Sequence, residues 1–151
     1  QLGGEICAFG SNEGGPWCIG VQHPLDMKAV YGVIAVDGLV RVSTSGNYRQ
    51  PVIIQGHRFY HIFSPKTGRP VPEKILGVTT AAFGPGHSNA LLDGAATAIT
   101  VLGVEEGMAF ARKLGIEALI LAKKKDGTIS EHATDGISAR LSTKAASMAD
   151  H

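Results

Sequence analysis

The chain has 151 residues, 44% hydrophobic and 18% charged, with 14 Lys and Arg against 13 Asp and Glu. That length supports one domain with a real core, and the composition excludes a disordered chain. The near-neutral balance excludes the basic footprint of a nucleic-acid or anionic-membrane binder, and no run of about 20 apolar residues offers a transmembrane span.

The first half reads as antiparallel strands. Glu5–Phe9 and Trp17–Gln22 flank the turn-like stretch Ser11–Pro16 and form a candidate hairpin, which sets Cys7 opposite Cys18. Opposed strand residues sit close enough for a disulfide, and two buried free thiols suit the same positions equally well. No Cys/His spacing suits zinc. Tyr31–Thr44 holds two β-branched runs joined by Asp37-Gly38, a strong local hairpin signal. Pro51–Ile54 and Arg58–Phe63 make another hairpin, and Ser64-Pro65-Lys66-Thr67-Gly68 follows as a tight turn.

The second half changes character. Gly77–Phe83 reads as a strand stopped by Gly84-Pro85-Gly86. Ser88 is the expected N-cap of a helix running to Leu102, with Gly103 at its end. Glu105–Leu114 is a second helix, with acids first, Arg112-Lys113 last and Gly115 beyond. Ile116–Ala122 is a buried-type strand paired through Asp126-Gly127 with Thr128–His132, and the small, polar stretch Ser142–His151 is expected to fray. Strands first and helices later predict an α+β fold, an antiparallel hairpin-rich sheet packed against a pair of helices, over residues 1–141.

The most informative stretch for chemistry is Ser88–Gly103, which puts Asp93 and Thr97 four residues apart on a helix otherwise lined by small and apolar residues. Side chains at that spacing share a face, and an oxygen pair of this kind suits a hard cation such as Mg²⁺. A back-bonding Thr and an Asp paired with a nearby Lys or Arg account for the same pattern. His61 sits at a strand end beside the Ser64–Gly68 turn, where a group titrating near neutrality can serve as acid or base, or simply pack. The hydroxyl-rich segment Ser43–Tyr48 and the Phe83–Ser88 approach to a helix N-terminus could each receive a phosphate, although each also marks a turn. The P-loop, the dinucleotide-binding glycine motif and the G-x-S-x-G nucleophile motif are all absent from the sequence.

In order and spacing these segments resemble the ApbE-type FAD:protein FMN transferases. LGGEICAFG followed by PWCIGVQHP is similar to that family's glycine-glycine strand and its W-x-I-G-x-x-x-P continuation. STSGNY resembles T-S-G-D-Y, and HIFSPKTGRP resembles H-I-I-D-P-x-T-G-x-P. LLDGAATAITVLG followed by EEGMAFARKLGIEALIL resembles the A-D-x-x-x-T-A-x-x-V-L-G segment with its following helix and strand, so that the likeness covers residues 1–135.

The resemblance implies that Asp93 and Thr97 ligate a Mg²⁺ on the FAD pyrophosphate, with Asp93 counted also among the catalytic residues. It implies that His61 is the catalytic histidine beside the flavin and phosphate, and that Ser45, Gly46, Tyr48, Thr67 and Gly68 line the same pocket. The implied reaction cleaves FAD, releases AMP and joins FMN to a Thr or Ser hydroxyl of an acceptor protein. A flavin-binding module without transfer is the alternative. Ser64 and Asn47 stand where the family has Asp, so two charges are replaced by neutral groups. The family's N-terminal half is not in this sequence, which begins inside a strand-like segment at Gln1. A companion carrying that half is therefore expected, and the family's export and lipid anchoring imply an extracytoplasmic, periplasmic location.

Overall fold

The computed structural model describes residues 1–46, 52–54, 57–59 and 61–143. In chain order its strands are β1 (Ile6–Ala8), β2 (Trp17–Gln22), β3 (Val30–Val36), β4 (Val40–Gly46), β5 (Val52–Ile54), β6 (His57–Phe59) and β7 (Ile75–Phe83). Helices α1 (Asn89–Leu102) and α2 (Val104–Leu114) follow, then β8 (Glu117–Lys123), β9 (Ile129–Ala133), the short helix α3 (Asp135–Ser138) and β10 (Leu141–Ser142). The fold is α+β, as the sequence predicts. The sheet, however, is divided: a five-stranded antiparallel sheet runs β1-β4-β7-β8-β9, a three-stranded one runs β10-β3-β2, and β5 pairs with β6.

Two buried clusters show why the division occurs. One holds Val78, Ala82, Leu92, Ala96, Ile99, Met108 and Ile120, between the two long helices and the large sheet. The other holds Ile19, Val21, Ile34, Val36, Val40, Val42, Leu119 and Leu121, between the two sheets. Strands β7 and β8 are therefore covered on both faces, so they read as nearly unbroken apolar runs rather than alternating ones.

This layering corrects two expected hairpins. Asn12 and Gly15 exchange backbone hydrogen bonds at 2.8 Å, so the first turn forms, yet β1 pairs with β4 and β2 pairs with β3. The Asp37-Gly38 turn likewise joins β3 to β4 in different sheets, with Gly38 at φ 81 donating to the Gly10 carbonyl at 3.0 Å. One sheet of these strands would leave an apolar face uncovered; two stacked sheets bury it. Cys7 thus lies opposite Arg41 and Cys18 opposite Ala35, both thiols are free and exposed, and neither the disulfide nor the buried-thiol expectation holds. Their strand neighbours Ile6, Ala8, Ile19 and Val21 face the core, which turns the thiols outward.

The expected pair β5–β6 forms in register, Val52 opposite Phe59. Ser142 lies in β10, opposite Val33, within the stretch expected to fray, and residues 144–151 lie outside the described residues. Opposite this sheet Tyr31 donates to Glu131 at 2.7 Å; burial, then that carboxylate, push its phenol up to about 12. Among the described residues no helix is long and apolar enough to cross a membrane.

Candidate functional site

Helix α1 carries the central residues, and its start is set by sequence. Ser88 accepts from the Leu91 amide at 3.2 Å, and Gly103 at φ 81 ends the helix and begins α2 without an intervening loop. Asn89 donates its side-chain amide to the carbonyls of Ile6 at 2.9 Å and Val42 at 3.4 Å, tying the first turn to β1 and β4. Leu92, Ala95, Ala96, Ile99 and Thr100 face the sheet. Asp93 and Thr97 are exposed, one turn apart on the same helical face, as their spacing predicts.

Their surroundings bear on the two readings of this pair. Thr100 back-bonds to the Ala96 carbonyl at 2.9 Å, whereas Thr97 has no hydrogen-bond partner among the described residues. The ion pair found among those residues joins Lys123 to Glu73, and among the described residues no Lys or Arg forms an ion pair with Asp93. Its partner is Ser43 on β4, whose Oγ donates to Oδ1 at 3.5 Å. An exposed carboxylate oxygen and a free hydroxyl on one face fit the donor set of a hard cation, with its remaining positions left to water or phosphate. Among the described residues no group of three or more His, Cys, Asp or Glu forms a metal cluster, so a cation bound at this pair would need further ligands.

Ser45 and Gly46 close β4, half-buried and opposite Val78 and Gly77. Ser45 shares the helix-facing side of β4 with Ser43, two residues along. The structure thus brings Ser45 and Gly46 to the sheet under α1. Tyr48 lies outside the described residues. His61 is exposed at the start of a self-contained loop in which the Ser64 carbonyl accepts from Gly68 at 2.8 Å and from Thr67 at 3.3 Å. Val71 donates to the Ile62 carbonyl at 2.9 Å, and Gly68 takes φ 62, a value that favours glycine. Thr67 and Gly68 are exposed, and no hydrogen bond among the described residues joins this turn to α1 or β4. Ser64 keeps the turn that an Asp would also make, through its backbone.

Sequence reasoning missed the partners beneath the helix. Ser43 was legible only as one of a hydroxyl cluster, and the Thr80 hydroxyl, which donates to the Leu92 carbonyl at 2.8 Å, carried no signal. A Ser and a Thr inside β-branched strand runs are the available cue: polar groups in a sheet covered on both faces need partners.

The fold and the site together define an α/β/β layered domain that presents an oxygen-donor pair from a helix. Comparison with known proteins places that class. The ApbE family model matches residues 1–120. An FAD:protein FMN transferase of Vibrio cholerae is 36% identical over 144 residues, 94% of this chain and 41% of that protein. The Escherichia coli K12 protein of the same name is 35% identical over 128 residues, 83% of this chain and 35% of that one. Among solved structures, the Pseudomonas stutzeri flavinyl transferase ApbE in its apo form superposes with TM-score 0.70 at 31% identity, over 93% of this chain and 42% of that chain. An ApbE protein from Thermotoga maritima gives TM-score 0.74 at 26% identity, over 91% and 42%. The chain belongs to the ApbE family. It spans about two fifths of the length of these relatives.

Proposed function

We propose that the chain forms the C-terminal portion of an FAD:protein FMN transferase, which moves FMN from FAD to a Thr or Ser hydroxyl of an acceptor protein and releases AMP. The observation that carries this reading is the exposed Asp93–Thr97 pair, free of ion-pair partners among the described residues, in a chain of the ApbE family. On this reading Asp93 and Thr97 hold a Mg²⁺, which when bound offsets pyrophosphate charge and orients the group for in-line attack. Ser45, Gly46, Tyr48, Thr67 and Gly68 bind the flavin nucleotide. The acceptor oxygen attacks the phosphorus on the FMN side, the bond to the AMP oxygen breaks, and His61 takes the hydroxyl proton. Because the chain spans two fifths of its relatives, the rest of the site comes from the remainder of the fold, on the same polypeptide or on a companion. Export and lipid anchoring belong to the same proposal and are tested by cell fractionation.

The test is incubation of the intact native protein, whose mass is first measured under denaturing conditions, with FAD, Mg²⁺ and an acceptor bearing a target Thr. AMP release, with an acceptor mass gain of one FMN less water, both lost in Asp93→Asn, is the expected result. FAD binding without AMP release would refute transfer and leave a flavin-binding module.

A further inference from the structure

Strand β4 carries a polar side chain that the sheet does not need. Ser43 is fully buried, at 0% exposure, in a strand whose two faces are both covered. A hydroxyl there is costly unless it finds a partner. Among the described residues its Oγ has one, the Asp93 carboxylate at 3.5 Å. Thr80, opposite Ser43 in the β4–β7 register and equally buried, donates to the carbonyl of Leu92. Two successive residues of α1 are thus met from beneath by two hydroxyls standing side by side on neighbouring strands. Thr80 holds the helix backbone, which fixes where the Asp93 Cα sits. Ser43 meets the carboxylate itself.

We propose that Ser43 is a positioning residue, which engages Oδ1 of Asp93 so that Oδ2 is presented outward, beside the Thr97 hydroxyl, for a divalent cation. The proposal rests on the reading of Asp93 as a metal ligand. At 3.5 Å the contact lies at the long end of hydrogen bonding, so its effect is expected in the Asp93 rotamer and not in global stability. Hydrogen bonds behind a ligating carboxylate commonly govern metal affinity in this way, and their loss costs about tenfold or more.

The experiment uses the isotopically labelled intact native protein, including the remainder of the fold, and Mn²⁺ as probe. Three-bond couplings at Asp93 report its χ1, and paramagnetic broadening of Asp93 resonances reports the cation. The wild type is expected to show one dominant Asp93 rotamer. Ser43→Ala should give averaged couplings, an otherwise superimposable amide spectrum and a Mn²⁺ midpoint raised about tenfold. Ser43→Thr, which keeps the hydroxyl, should restore both. If Ser43→Ala does not fold, Ser43→Cys, similar in size but a weak donor, carries the same comparison. Unchanged couplings in the variant that lacks the hydroxyl overturn the proposal. Absence of Mn²⁺ broadening at Asp93 in the wild type overturns instead the reading of Asp93 as ligand, while the couplings still decide what Ser43 does.

Discussion

Two glycines in adjacent helices, given the same substitution, should respond with opposite signs. Gly94 lies in α1 with nothing within 4 Å of where a Cβ would stand. Gly94→Ala therefore gains only helix propensity and should stabilise by about 1 kcal/mol. Gly107 lies in α2, where a Cβ would come within 2.8 Å of Ile99 Cγ2 and 3.4 Å of Ile120 Cδ1 and the Ile99 carbonyl. Ile99 and Ile120 are both fully buried, so neither can swing into solvent. The same propensity gain of about 1 kcal/mol is set against an overpacking cost of about 1–3 kcal/mol, a net loss of about 0–2 kcal/mol. The two variants should differ by about 2 kcal/mol, or about 4–8 °C in Tm for a chain of this size. Calorimetry on both, with urea melts to check that m is unchanged, measures this directly. Equal stabilisation in the two would show that α2 can lift away from α1 without penalty. The close contact at Gly107 would then not be what sets the depth of the helix bearing Asp93 and Thr97.

Three further predictions concern the parts around that helix. Asn89→Ala removes the donor shared by the Ile6 and Val42 carbonyls and should cost about 1–2 kcal/mol, with amide exchange accelerating first in β1; unchanged exchange there would show that β1 is held by β4 alone. Tyr31 keeps its proton more firmly in the fold than in the unfolded chain, so its contribution is complete below pH 10 and lost as pH rises toward about 12. Tyr31→Phe should flatten the fall in stability across that window, and an unaltered slope in alkaline urea melts would contradict it. Thr97→Val exchanges an exposed hydroxyl, unpartnered among the described residues, for a methyl, so stability should change by less than about 0.5 kcal/mol while, on the proposed function, Mg²⁺-dependent AMP release falls; full turnover would remove Thr97 from the proposed ligand set.

Much of this architecture was legible in the residues. Ser88, Gly103 and Gly115 bracket α1 and α2 because caps are local chemistry, settled within a turn of the helix. The shared face of Asp93 and Thr97 followed from spacing alone. Which strands pair did not, because Asp37-Gly38 specifies a sharp reversal but not which sheet the next strand joins. That choice depends on how many apolar faces remain to be covered by distant segments. The short elements α3 and β10 escaped for a similar reason. Glu117, from β8, accepts from the Thr134 hydroxyl and from the Gly136 amide at 2.9 Å, so α3 is anchored by a residue far from it in sequence. At the site, the carboxylate was readable and its Ser43 contact was not, since a Ser in a strand signals the need for a partner but not which residue supplies it.

The smaller sheet has a temporal consequence. Its strand β10 pairs Leu141 with Ile34, residues far apart in the sequence. Loop closure over such a span is slow and must wait for the later residue to be made. While the chain emerges from the ribosome, β3 therefore has β2 on one side and an open edge on the other. Isolated strand edges of this kind invite pairing with other chains. Gly32 lets β10 seat closely in the finished fold, because a Cβ there would stand 2.9 Å from Leu141 Cδ1 and 3.0 Å from the Ser142 carbonyl. Among the described strands β10 is made last, so its pairing with β3 is the last of these ladders to close during synthesis.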